Sequence, residues 1–197
     1  MLAYYLLEVR GLRGPLVKSV TTTRMVLRLG ELYGVPVYET GVGFKYLGPK
    51  MMETDAIIAG EESGGYAFRG HLPERDGILS GLCFLDLMAR RRRRPRELVE
   101  ELYAKAGPHY YDRVDIRLAE TDRPRVLERL RSQRPEEIAG LRVTGVDTTD
   151  GYRYLLERGW ALIRLSGTEP LLRIYTEVPD EALVAPVLAA CRQLAGV

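Results

Sequence analysis

A chain of 197 residues with 46% hydrophobic content can bury one large or two small cores, and its 29 basic and 27 acidic residues leave a net charge of +2. That balance removes any general electrostatic case for a nucleic-acid or membrane partner, so charge has to be read locally. Only two cysteines occur, Cys83 and Cys191. Each sits in an apolar helical pattern, which argues against a disulfide framework and for buried thiols in a reducing cytoplasm, with no metal implied.

The run Met1 to Arg10 is apolar but short, lacks a basic leader and a small-residue cleavage site, and meets a charge at Glu8. It reads as a helix to about Val9, neither a signal peptide nor a membrane span. A strand is expected near Val17 to Val20, a helix from Thr23 to Tyr33, a strand at Val35 to Glu39, a short helix from Phe44 to Met52, and the apolar strand Ala56 to Ala59 running into Gly60. Such alternation predicts an α/β fold with a mixed, mostly parallel sheet flanked by helices. Ligands of these sheets sit beyond the carboxyl ends of the strands, where Glu39-Thr40-Gly41-Val42-Gly43 and Gly60-Glu61-Glu62-Ser63-Gly64-Gly65 both fall. The two loops are expected to face one crevice.

In the second loop, glycines allow close backbone approach to a ligand, and ionised Glu61 and Glu62 are pure acceptors able to take hydroxyl donors from a polyol, with Ser63 beside them. Adjacent loop carboxylates cannot readily flank a bond as acid and base, and Asp55 and Glu74 do not complete a calcium-loop spacing. A solvated turn explains the same residues. The segment His71-Leu72-Pro73-Glu74-Arg75-Asp76-Gly77 offers His71 and Arg75 as ligand contacts and Asp76 as a helix cap. Lys45 opens the short helix after a Gly-containing turn and could present a point charge to a phosphate.

A long helix from Gly77 carries Ile78, Leu79, Leu82, Phe84, Leu85 and Met88 before Arg90-Arg91-Arg92-Arg93-Arg94-Pro95. Without interleaved aromatics, these arginines suit a helix C-terminus and a solvated linker better than a nucleic-acid patch. A connecting helix from Glu97 to Lys105 reaches Gly107-Pro108, which divides the chain into domains 1–106 and 107–197. Beyond it come a strand from Tyr111 to Leu118, a helix from Arg125 to Arg131, and strands Leu141 to Asp147, Tyr152 to Leu156, Trp160 to Leu165 and Leu172 to Val178. A helix from Asp180 to Leu194 closes the chain. This is a small α+β domain with an antiparallel sheet and two helices.

Between its last strands lies Arg164-Leu165-Ser166-Gly167-Thr168-Glu169-Pro170-Leu171-Leu172-Arg173. Arg164 and Arg173 supply forked donors matched to phosphate oxygens, and the Ser166, Gly167 and Thr168 backbone can form an anion-binding turn. Glu169 is expected to point away from an anion and brace the loop or an arginine. Turn-forming preference alone accounts for Ser, Gly and Thr equally well.

Taken in order and spacing, Tyr38 to Tyr46, Gly60 to Gly65, His71 to Gly77 and Arg164 to Tyr175 resemble the α-D-phosphohexomutase superfamily, the phosphoglucomutases and phosphomannomutases. The resemblance covers nearly the whole chain, as the family's third domain, with its first strand missing, followed by its fourth. It implies sugar contacts from Glu61, Ser63 and Lys45, with His71 and Arg75 nearby, and phosphate contacts from Arg164, Ser166, Gly167 and Thr168, with Arg173 beside them. The implied reaction is reversible transfer of phosphate between the 1- and 6-positions of a hexose phosphate. The family's phosphoserine loop, Ser-His-Asn-Pro, and its metal loop, Asp-Gly-Asp-x-Asp-Arg, are absent, and the sequence contains no Asn at all. The resemblance therefore implies no catalytic residue and no cofactor bound by this chain, with Mg2+ and a hexose 1,6-bisphosphate activator belonging to the intact enzyme. The expected partners are a hexose phosphate and an N-terminal catalytic half, on the same longer chain or a separate one. A stand-alone phosphosugar-binding module and a nucleic-acid binder using Arg90 to Arg94 are the rival readings.

Overall fold

Short apolar runs bounded by Gly and Pro become strands here, and longer runs with helical periodicity become helices. In a computed structural model describing residues 1–197, the chain separates into two units, Met1–Pro108 and His109–Val197. The first unit opens with α1 (Leu2–Tyr4), which runs on as a π-helical turn (Tyr5–Val9). It continues with β1 (Leu16–Ser19), α2 (Met25–Tyr33), β2 (Val37–Thr40), α3 (Phe44–Thr54), β3 (Ile58–Gly60), β4 (Tyr66–Phe68), α4 (Gly77–Arg91) and α5 (Pro95–Ala106).

The four strands pair in the order β2-β1-β3-β4. Strands β1, β2 and β3 are parallel, and β4 runs antiparallel along β3. The sheet is therefore mixed and mostly parallel, as the alternation implied. Neighbouring β1 residues point to opposite faces. Leu16 joins a core with Tyr4, Leu29, Ile57, Leu87 and Leu98, whereas Val17 packs with Phe44, Leu47, Met51 and Ala59.

At the carboxyl end of β1, Lys18 stands in register with Glu39 of β2 and Gly60 of β3. Its side chain is 1% exposed, and the ammonium lies 2.7 Å from a Glu39 carboxylate oxygen. It also donates to the Thr22 carbonyl at 2.7 Å. Burial of this cation is thus offset by a charged partner and a backbone acceptor.

Two details of the first unit depart from the sequence expectations. Strand β4 lies in a stretch to which the sequence patterns assign no element, because three residues are too few to show a period. Helix α4 turns only part of its apolar surface inward: Leu87 is buried, Cys83 is half-buried rather than buried, and Ile78, Leu82 and Leu85 are exposed. The arginine run forms the joint between α4 and α5. Arg90 pairs with Asp86, Arg91 with Glu101 and Arg93 with Glu97, and the Arg94 N–H donates to the Glu97 carboxylate at 2.7 Å.

The second unit comprises β5 (Tyr110–Arg117), α6 (Arg123–Ser132), β6 (Glu137–Ile138), β7 (Leu141–Asp147), β8 (Tyr152–Leu156), β9 (Gly159–Leu165), β10 (Leu171–Val178) and α7 (Val184–Ala195). Its six strands follow the order β5-β10-β9-β8-β7-β6, every pair antiparallel. Ala161, Ile163 and Ile174 pack with Val126 and Leu130 of α6 and Val187, Leu188 and Cys191 of α7. Residues alternating with these, Trp160, Leu162 and Arg164 of β9, belong to the other sheet face. There Trp160, fully buried, donates its indole N–H to Glu177 at 3.3 Å. No helix in either unit is long and apolar enough to cross a membrane.

Candidate functional site

In the first unit, the segments flagged by the sequence meet at the end of β3. The Glu61 N–H donates to the Gly65 carbonyl at 3.0 Å, and the Gly64 N–H to the Glu61 carbonyl at 3.2 Å, which folds the loop into a tight hook. Gly60 and Gly65 make the hook possible. A Cβ on Gly60 would lie 2.7 Å from the Tyr66 ring, and one on Gly65 would lie 2.5 Å from the Arg75 stem. Glu61 is only 5% exposed. Its carboxylate accepts the backbone N–H of Gly43, the residue capping α3, so the loop after β2 and the loop after β3 are joined through this group, as a shared crevice requires.

Burial pushes the Glu61 pKa up from the ordinary carboxylate value, against the opposing pull of the Gly43 N–H and the Arg75 charge. The guanidinium of Arg75 also lies 5.5 Å from the centroid of the Phe44 ring, at the start of α3. Lys45 is exposed in the first turn of the same helix, with its ammonium 4.8 Å from the Tyr46 ring centroid. Ser63 occupies the exposed tip of the hook.

Asp76 has two partners. One oxygen accepts the Leu79 N–H at 2.8 Å and caps α4, and the other lies 2.9 Å from His71 Nε2. The Leu79 N–H and then His71 hold its carboxyl below the usual range. His71 is thereby positioned through the cap rather than free to swing. The resulting surface offers a poorly solvated acceptor at Glu61 beside the Arg75 cation.

In the second unit, β9 and β10 deliver Arg164 and Arg173 in direct register. Arg164 is 13% exposed, and its Nε donates to Asp150 at 2.8 Å. Asp150 reaches it because Gly151, at φ 97°, brings the β7–β8 turn against β9: a Cβ on Gly151 would lie 2.6 Å from the Ile163 carbonyl oxygen. Arg173 pairs with Glu169 and lies 3.6 Å from Asp115. Glu169 thus braces an arginine.

The turn between these strands is closed on itself. The Ser166 hydroxyl, almost fully buried, accepts the Glu169 N–H at 3.2 Å and the Thr168 N–H at 3.4 Å. Gly167 and Thr168 are exposed. Arg123, from the start of α6, donates to the Ser166 carbonyl at 3.0 Å. Neither Asp150 nor Arg123 was singled out as a site residue in the sequence. The Asp150-Gly151 turn carried a signal for the first, and nothing local marked the second.

No group of three or more His, Cys, Asp or Glu side chains is arranged to hold a metal ion.

The architecture and these loops have counterparts in known proteins. The family model for phosphoglucomutase/phosphomannomutase, alpha/beta/alpha domain III, matches residues 1–106, and that for the phosphoglucomutase/phosphomannomutase C-terminal domain matches residues 116–194. The chain belongs to the phosphoglucomutase/phosphomannomutase family, of which it carries the third and fourth domains. A phosphoglucomutase/phosphomannomutase of Thermococcus kodakarensis is 31% identical over 85% of this chain and 35% of its own length. A phosphoglucosamine mutase of Rubrobacter xylanophilus is 32% identical over 97% of this chain and 39% of its own length. A crystal structure of a protein from Thermus thermophilus assigned as a phosphomannomutase superposes with a TM-score of 0.80 at 36% identity, over 100% of this chain and 40% of that one. The chain thus spans well under half the length of these relatives.

Proposed function

We propose that this chain is the sugar- and phosphate-recognising part of a phosphohexomutase, an isomerase moving phosphate between the 1- and 6-positions of a hexose phosphate. In this reading Glu61 and Ser63 accept and donate to sugar hydroxyls, and Lys45, His71 and Arg75 line the sugar. Arg164, Gly167, Thr168 and Arg173 hold the phosphate that is not being transferred, while Ser166 shapes their turn. The nucleophile, the magnesium and the hexose 1,6-bisphosphate activator belong with an N-terminal half. The three relatives described above are named for glucose, mannose and glucosamine phosphates, which differ only at C2, and this suits recognition resting on the other hydroxyls and on the phosphate.

The observation that supports this most is Arg164. A guanidinium largely shielded from water, aimed by one carboxylate beside an exposed Gly-Thr turn, is poised for a dianion, which attracts it in a site of reduced dielectric. Remote anchoring of this kind aligns the reacting end, where phosphoryl transfer depends on position and charge neutralisation.

Two measurements test the reading. Arg164→Ala should weaken hexose 6-phosphate binding by about 2 kcal/mol, roughly thirtyfold, in titration calorimetry; equal affinity would remove the phosphate assignment. Mixing the chain with a relative's N-terminal half should generate mutase activity that neither part shows alone. Turnover by this chain on its own would refute the division of labour and any purely binding role.

A further inference from the structure

We infer that Arg123 is a positioning residue for the anion-binding turn, acting by fixing the Ser166–Gly167 peptide plane so that the Gly167 N–H is presented outward. The inference rests on the reading that this turn binds phosphate. Arg123 Nη2 donates to the Ser166 carbonyl at 3.0 Å, and its Nη1 lies 3.0 Å from the Glu120 carboxylate, so the guanidinium is itself aimed from two sides. Every peptide bond in the chain is trans. In a trans peptide the carbonyl of one residue and the N–H of the next point in opposite directions. Holding the Ser166 carbonyl towards Arg123 therefore turns the Gly167 N–H away from it.

That N–H makes no hydrogen bond within the chain, whereas the next two, of Thr168 and Glu169, are taken by the Ser166 hydroxyl. A Cβ built on Gly167 would meet nothing within 4 Å, so the space around it is open to a ligand. The rest of the turn is pinned independently. The Ser166 N–H donates to the Leu171 carbonyl at 2.9 Å, and the Leu118 N–H to the Pro170 carbonyl at 3.0 Å. The peptide after Ser166 is thus the element left for Arg123 to set, and without it the carbonyl is free to rotate its lone pairs towards the anion.

The experiment is a 15N–1H NMR titration of the full chain with inorganic phosphate, in the parent, Arg123→Met and Arg123→Lys forms. Trp160 fluorescence confirms that each is folded at the chosen temperature. In the parent, phosphate should shift the Gly167 amide. Arg123→Met should weaken binding by about tenfold, equivalent to about 1.4 kcal/mol, and abolish most of that shift. Arg123→Lys, which keeps a single charged donor, should recover part of both. If Arg123→Met does not fold, the same graded loss in Arg123→Lys against the parent decides the matter. An undiminished Gly167 response and affinity in the folded variants would overturn the positioning role while leaving phosphate binding intact. A parent chain whose turn amides ignore phosphate would overturn the reading of the turn and this inference with it.

Discussion

The two regions proposed to bind the substrate solve opposite electrostatic problems. Around Glu61 the chain partly strips solvent from an anion and gives it one backbone N–H and a neighbouring cation, so its charge is incompletely compensated. Around Arg164 and Arg173 it stores cations already paired with Asp150, Glu169 and Asp115. The first arrangement leaves an acceptor that gains from any hydroxyl donor. The second keeps guanidiniums oriented by carboxylates, and under the proposed function a doubly charged ester would compete for them at the cost of weakening pairs already made. One region is tuned through burial and the other through prior pairing.

The sharpest way to break this contrast is through the glycines. At Gly151 the obstacle to a side chain is backbone, and the φ of 97° is itself unfavourable for other residues. Gly151→Ala should therefore destabilise the second unit by roughly 3 kcal/mol or more. Because Trp160 is the only tryptophan and lies in that unit, urea unfolding followed by its fluorescence reports the loss. Gly65→Ala meets the stem of the exposed, flexible Arg75, so it should cost only about 1 kcal/mol by far-UV circular dichroism. Equal costs would mean that the acidic hook is as rigidly built as the arginine turn.

A subtler test uses pH. Folding raises the Glu61 pKa, so the native state binds more protons than the unfolded one between the ordinary carboxylate pKa and the raised native value. Its contribution to stability is fully present below the unfolded pKa and declines as pH rises through that window. Asp76, whose native pKa is depressed, contributes in the opposite sense: its stabilisation is lost as pH falls through the native value. The difference between the parent and Glu61→Gln in urea midpoint against pH isolates the first effect. Over the same window, affinity for a hexose phosphate should climb with pH more steeply in the parent than in Glu61→Gln, where only the ionisation of the phosphate ester remains. A flat difference in both quantities would show Glu61 to be solvated like a surface carboxylate.

Much of this was legible in the sequence because it is local. Period-2 and helical patterns located the long strands and helices, and the Gly-rich loops fell where a parallel sheet places them. What escaped was short or distant. Tyr66 to Phe68 and Glu137 to Ile138 are too brief to show a period, and only pairing with β3 and β7 makes them strands. The exposure of Ile78, Leu82 and Leu85 depends on which side of α4 the core covers, which apolar content does not encode. Asp150 and Arg123 lie 14 and 43 positions from the residues they hold, a separation that only antiparallel folding of the sheet closes. Residue types in the loops were readable; their supports were not.

The Lys18–Glu39 pair also limits how this chain can diverge. Replacing either member alone removes the charged partner of the other at the end of the parallel sheet, a change that typically costs several kcal/mol for a buried pair. A neutral, well-packed couple at the same two places could serve as well. Drift from one solution to the other must then pass through a weakened intermediate or take both steps together, so the two positions are expected to vary across descendants as a unit.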